Sequence, residues 1–152
     1  MPASDWSTSV ARLRCFRGID TLTALVLCLE IGDFRRFARP AQLASWLGLV
    51  PALNQSGESE TRGPITKTGS AVARRLLVEA AWHYLPQPSV GVALAARRVG
   101  QPDHVLQIAL RAQRRLHRLY QRLRERGKPG NVTTVAVARE LACFLWAAAV
   151  AD

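Results

Sequence analysis

Apolar residues recur at helical spacing along nearly the whole chain. Ala11, Leu13 and Phe16 precede a turn at Arg17-Gly18. Leu22, Ala24, Leu25, Leu27, Cys28 and Ile31 then form a stripe that Asp20 or Thr21 can cap and Gly32-Asp33 ends. Pro40 suits the first turn of a short helix over 41–47. Further on, Ser70 caps a helix in which Ala73, Leu76, Leu77, Ala80, Ala81 and Tyr84 follow the i, i+3, i+4, i+7 pattern, and Pro86 and Pro88 stop it. A weaker helix covers 90–99. Asp103 caps a long helix to about Arg126, and Gly127-Lys128-Pro129-Gly130 breaks it. Asn131 or Thr133 starts a last helix through Trp146, apolar on most sides and therefore central. No run alternates as a strand should, so the pattern predicts an all-α, multi-helix domain.

Residues 48–68 break the helical period. Pro51, Gly57, Gly63 and Pro64 punctuate a polar stretch, which reads as one long irregular loop with room for a short hairpin. Loops of this length are uncommon in compact domains and are often functional. Ser56 stands beside Gly57, and Arg62, Lys67, Arg74 and Arg75 follow within a short span. Such cations can hold a phosphodiester and stabilise charge at phosphorus. A serine hydroxyl needs activation to attack, and no His lies near. From chemistry alone Ser56 is either a turn residue or a nucleophile. His83, His104 and His117 have no ligand spacing, so neither a metal site nor a cofactor is predicted within this chain.

Composition adds charge to this picture. The 152 residues suit one domain, and 49% hydrophobic residues suffice for a core. The net charge is +10, and only Lys67 and Lys128 among the 21 basic residues are lysines. Residues 1–60 carry six basic and six acidic residues, so the whole excess lies in 61–152. That balance favours a polyanionic partner. On a helical wheel of 103–126, Val105, Ala109, Ala112, Leu116, Leu119, Tyr120 and Leu123 take one side. Arg111, Arg114, Arg115, Arg118, Arg122 and Arg126 take the other. Solvated faces usually mix signs for i,i+4 pairing. Here Glu125 is the one acid between Arg111 and Lys128, which points to phosphate or to intramolecular partners. The guanidinium fork suits phosphate.

The longest uncharged apolar run, 141–151, is short of the ~20 residues of a membrane span. No apolar signal core follows Met1, so a cytoplasmic protein with no membrane partner is expected. Cys15, Cys28 and Cys143 are scattered among apolar neighbours and read as buried thiols. Leu13 to Ala24, around Gly18 and Ile19, looks like a helix-hairpin-helix, in which a glycine turn offers backbone N–H groups to DNA phosphate. Asp20 stands where a second glycine is usual, and an ordinary helix–helix turn fits equally well.

Several ordered blocks carry a closer resemblance. They are Gly18-Ile19-Asp20 through Thr23-Ala24, Glu30-Ile31-Gly32-Asp33 with Arg36-Phe37, and Leu47-Gly48-Leu49-Val50-Pro51. Ser56-Gly57, Ile65-Thr66-Lys67-Thr68-Gly69 and Arg74 through Ala81 follow, then Gly127-Lys128-Pro129, Ala136 through Leu141, and Phe144-Leu145-Trp146. Together, over about residues 12–150, they resemble the C-terminal transposase domain of the insertion sequence 110 family, also called 110/116/902. The resemblance implies a recombinase that moves DNA with a structured guide RNA. It implies that Ser56 attacks the DNA backbone to form a phosphoserine link, and that the protein self-associates to bring DNA ends together. It also implies an N-terminal RNase-H-like domain whose four acidic residues bind Mg²⁺. No stretch here matches that domain, and Gln55 stands where many relatives carry a second serine.

The expectation is therefore a C-terminal part that binds nucleic acid and does not complete strand transfer alone. Residues of about 12–85 would hold the hairpin turn, the serine loop and the following helix, and about 103–151 the basic and apolar helices. Two other readings compete: a non-enzymatic DNA- or RNA-binding helical module, and a helical assembly protein whose arginine face meets an acidic partner.

Overall fold

The computed structural model describes residues 3–56 and 59–152, with the side chains of 6–51 and 65–152. Seven α-helices and one two-stranded hairpin follow in chain order: α1 (Ala3–Leu13), α2 (Thr21–Ile31), α3 (Pro40–Trp46), β1 (Pro51–Ser56), β2 (Ser59–Ile65), α4 (Ala71–Ala81), α5 (Val92–Arg98), α6 (Asp103–Glu125) and α7 (Gly130–Val150). Short 3₁₀ turns stand at Phe34–Arg36 and Trp82–Tyr84. The all-α reading holds for the body of the fold, and the hairpin is its one departure.

Local chemistry explains the helix starts. Asp20 caps α2 by accepting from the Thr23 N–H at 2.8 Å, and Ser70 caps α4 by accepting from Ala73 N–H at 3.1 Å. Two starts differ from the sequence reading. Pro102 precedes α6, so Asp103 sits in its first turn, where a carboxylate still favours the helix dipole. Pro129 precedes α7, which begins at Gly130, ahead of both Asn131 and Thr133.

The core gathers around α7, which packs against α1, α3, α4 and α6. Val137, Ala138, Leu141, Ala142, Leu145 and Ala148 are buried along it. Leu13, Phe16 and Ile19 meet them from the first turn region, with Leu77 and Tyr84 from the α4 segment and Leu116 and Tyr120 from α6. Helix α7 is long and apolar enough, by length and composition, to cross a membrane. The 141–151 run understated it, because the apolar stretch continues across Arg139 and Glu140 to Val132. In this fold those faces meet other helices, and Glu140 is held by Arg115 from α6 at 3.0 Å.

Arginines close the carbonyl ends of the helices. Arg97 and Arg98 donate to Arg14 O (2.7 Å), Phe16 O (3.4 Å) and Cys15 O (2.9 Å) in the turn after α1. Arg36 donates to Ile31 O at the end of α2, at 2.9 and 3.2 Å. Its guanidinium also lies 4.4 Å over Phe37 and 4.7 Å over Trp46. Arg12 reaches Ala148 O (3.1 Å) and Ala151 O (2.5 Å) at the end of α7, and Arg35 reaches Val150 O (3.3 Å). The last carbonyls of a helix have no partner within it, and a guanidinium satisfies them while opposing the negative dipole end.

The Thr23 N–H holds the Asp20 carboxyl below its ordinary pKa. A carboxyl depressed in the folded state stabilises above its unfolded pKa, and the gain is lost as pH falls through the folded value. Asp20→Ala should therefore cost ~1 kcal/mol at pH 7. Urea melts of both proteins should converge as pH drops below ~4, and a constant gap down to pH 2 would show that Asp20 acts otherwise.

Candidate nucleic-acid interface

Three places collect the residues the sequence singled out: the hairpin, one face of α6, and the turn between α1 and α2. The 48–68 stretch is largely an antiparallel hairpin, with Leu53 opposite Arg62, Gln55 opposite Glu60 and Ser56 opposite Ser59. A shift between Pro51 and Leu53 bends it. The pattern concealed the strands because Pro, Gly and Asn are poor strand formers.

The hairpin root is bound tightly to α3 and α4. Thr66 N–H donates to Val50 O at 3.0 Å, and Lys67 N–H to Gly48 O at 3.1 Å. Arg74 Nη1 donates to Leu47 O (3.0 Å) and Thr68 O (2.7 Å), and Thr68 Oγ1 to Ser45 O (3.3 Å). Gly48 (φ 73°) and Gly69 (φ 72°) allow this approach: a Cβ at Gly48 would strike Thr68 N, and one at Gly69 would strike Trp46 O. Lys67 holds φ 55° without being glycine, at a cost of roughly 1–2 kcal/mol. Ser70 Oγ donates to Glu30 Oε2 at 2.7 Å, tying α4 to α2.

This geometry separates residues that the sequence set close together. Lys67 lies at the root, while Ser56 ends β1 at the far side of the hairpin. Five residues of strand at about 3.3 Å each put roughly 17 Å between Ser56 and Pro51. The Ser56 and Arg62 side chains lie outside the described residues. Arg74, expected to hold phosphate, instead clamps two backbone carbonyls. Arg75 is exposed and 4.0 Å from Glu79, one turn on.

The arginine face of α6 is largely as the wheel drew it. Arg111, Arg114, Arg118 and Arg122 are exposed, and eleven residues at about 1.5 Å rise spread them over roughly 17 Å. Among the described residues, ion pairs form at Arg35, Arg75 and Arg115, so these four face water uncompensated. Arg115 corrects the reading: its partner is Glu140 of α7, an intramolecular contact from 25 residues away that no local pattern signals. Arg126, beyond the end of α6, is exposed as well.

In the α1–α2 turn, Gly18 adopts φ 86°, and a Cβ there would lie 2.8 Å from Ala80 O. Glycine is thus required for the turn to pack on α4. Ile19 is fully buried and its N–H donates to Phe16 O at 3.1 Å, so Ile19 serves the core and not a ligand. Beside Gly18 opens a cleft of about 490 Å³ that Arg17, His83, Ser89 and Arg97 help to line. Sequence spacing could not have joined Arg17, His83 and Arg97, which come from three separate segments.

Residues 10–98 match the family described as Transposase IS116/IS110/IS902. The chain belongs to this transposase family. It is similar to y4qE of Sinorhizobium fredii, named as a transposase: 44% identical over 146 residues, covering 95% of this chain and 37% of that protein. The transposase for insertion sequence element IS1533 of Leptospira borgpetersenii is 34% identical over 125 residues, covering 78% of this chain and 35% of that one. The transposase for insertion sequence element IS1111A of Coxiella burnetii is 37% identical over 70 residues, 46% of this chain and 19% of that protein. The chain thus spans little more than a third of the length of the relatives it matches along most of its own.

The Arg74 clamp yields a direct test. Arg74→Met removes both charge-assisted bonds while keeping the stem. It should cost about 1.5–3 kcal/mol in denaturant unfolding and speed amide exchange at Lys67 ahead of the helices. Unchanged exchange at Lys67 would mean that the glycine contacts alone hold the root.

Proposed function

We propose that this chain is the nucleic-acid-binding, serine-bearing part of an RNA-guided DNA transposase. The observation that carries the proposal is the uncompensated face of Arg111, Arg114, Arg118 and Arg122 on a chain of this family. Four like charges along one helix favour a ligand that presents phosphates in a row. DNA and a structured guide RNA both do so, and base pairing with RNA could then read sequence that the protein need not read.

In this reading Ser56 is the nucleophile. Its Oγ attacks a DNA phosphorus and forms a phosphoserine bond as the bond to one deoxyribose oxygen breaks; the serine proton ends on that leaving oxygen. The hairpin carries Ser56 outward from a root that Arg74, Gly48 and Gly69 hold in place, which suits delivery into a bound duplex. Among the described residues no three His, Cys, Asp or Glu side chains group to hold an ion. In this reading the Mg²⁺ that the family's chemistry uses is held by the acidic residues of the RNase-H-like domain, so complete strand transfer draws on the rest of the transposase as well. Self-association fits the exposed Leu22, Leu25 and Leu29, which share one face of α2.

Fluorescence anisotropy across a salt series tests the interface. Changing Arg111, Arg114 and Arg118 to Ala should weaken duplex DNA and RNA hairpins alike. The slope of log K against log[salt] should flatten by ~2.7 on DNA, about 0.9 per lost phosphate contact. Arg115→Ala should change the slope far less. No binding by the wild type even at low salt would sink the nucleic-acid reading and favour an acidic protein partner for the arginine face. In a transposase carrying the remaining sequence, Ser56→Ala should abolish the covalent protein–DNA adduct and leave Kd unchanged. An adduct that survives the substitution would remove Ser56 from the mechanism.

A further inference from the structure

A second basic site lies on the opposite side of α6 from the arginine face. At 100° per residue, Arg124 falls about 200° from Arg122, next to Tyr120 at the edge of the buried arc. There a cleft of about 300 Å³ is lined by Trp82, Leu85, Tyr120, Arg124, Lys128, Gly130 and Thr133. That volume is at the lower end of small-ligand pockets, about 300–1,000 Å³. Trp82 is 49% exposed, although it stands at the junction of α4 with the 3₁₀ turn. An exposed indole beside Arg124 and Lys128 offers a flat aromatic face next to two cations.

The cleft is built on a rigid floor. Tyr120 backs the indole, with ring centroids 6.4 Å apart and planes inclined by 34°. The Tyr120 hydroxyl donates to Thr134 Oγ1 at 2.8 Å, and Thr134 Oγ1 donates to Gly130 O at 2.8 Å. This relay locks α6 to the first turn of α7. Arg124 and Lys128 are exposed, and among the described residues no ion pair holds either. A Cβ at Gly130 would meet nothing, so the space before it is open.

We infer that this cleft binds one unpaired nucleotide, its base stacked on Trp82 and its phosphate held by Arg124 and Lys128. A planar aromatic face accepts any base, and cations beside it track the backbone, which is how proteins take single strands without reading sequence. A duplex keeps its bases stacked inside and cannot use the indole. The ligand is therefore a loop, bulge or displaced strand, of RNA or DNA. The site stands on residues separate from Arg111, Arg114 and Arg118, and it shares with the proposed function only the premise that this chain meets nucleic acid.

The test uses the full chain with ten-nucleotide oligo(dT), oligo(rU), an abasic strand of equal phosphate count, and blunt duplex DNA. Trp82→Ala should weaken both single strands by about 5- to 150-fold and leave the abasic strand and the duplex unchanged. Trp82→Phe, which keeps a ring, should recover most of the affinity, and coincident thermal melts will show that both variants fold. Changing Arg124 and Lys128 to Ala should flatten the single-strand salt slope by ~0.7, the share of the one phosphate they hold. A preference for oligo(rU) would assign the site to RNA, and one for oligo(dT) to displaced DNA. Equal binding of wild type and Trp82→Ala, or abasic strands bound as tightly as oligo(dT), would overturn the pocket while the duplex result stood. Failure of the wild type to bind any of the four would overturn both readings.

Discussion

Guanidinium groups on backbone carbonyls hold this fold together at its seams. Arg97 and Arg98 close the turn after α1, Arg36 the end of α2, Arg74 the end of α3, and Arg12 with Arg35 the end of α7. Apart from the local Arg36–Ile31 contact, these bonds run between segments that hydrophobic burial brings near but does not orient. A buried apolar surface is indifferent to rotation, whereas a two-pronged donor aimed at a carbonyl is not. Lysine could carry the same charge but not the same geometry. That difference gives a physical reason for a chain of 21 basic residues to hold only two lysines.

The same bonds divide the net charge into two kinds. Arginines that serve carbonyls or Glu140 are spent within the molecule. Among the others, α6 sets Arg111, Arg114, Arg118 and Arg122 along one face and Arg124 on the other beside Trp82. Burial of Arg97 and Arg98 lowers their pKa from the ordinary arginine range, as desolvation of a cation must. They stay charged at any working pH, and their carbonyl partners offset part of the cost. The +10 of the chain thus overstates the field that a nucleic acid would meet, and its placement matters more than its sum.

The hairpin follows a comparable logic. Its strands are two, too few for independent stability, so its anchorage comes from the root. Gly48 and Gly69 let backbone touch backbone, and Arg74 bonds both sides of the contact. A rigid root and a projecting arm suit a residue that must reach a ligand bound elsewhere. Helix α7 provides the counterweight: with α1, α3, α4 and α6 packed on it, the platform beneath the hairpin is a single apolar core.

Much of this was legible in the residues alone. The helical period placed α2, α4 and α6 nearly to their ends, because apolar spacing and the caps at Asp20 and Ser70 are local properties. The ordered blocks pointed to the transposase family, and the wheel of α6 separated its apolar and basic sides. What tertiary structure alone decided is which polar group answers which. Arg115 meets Glu140 across two helices, Arg74 turns to carbonyls, Ile19 turns inward, and Lys67 ends far from Ser56 despite closeness in sequence. Trp82 and Arg124 come to share a cleft although 42 positions separate them. Periodicity reports which side of a helix is buried, but not its neighbour. A charged side chain takes its role from that neighbour, and the neighbour exists only once the chain has folded.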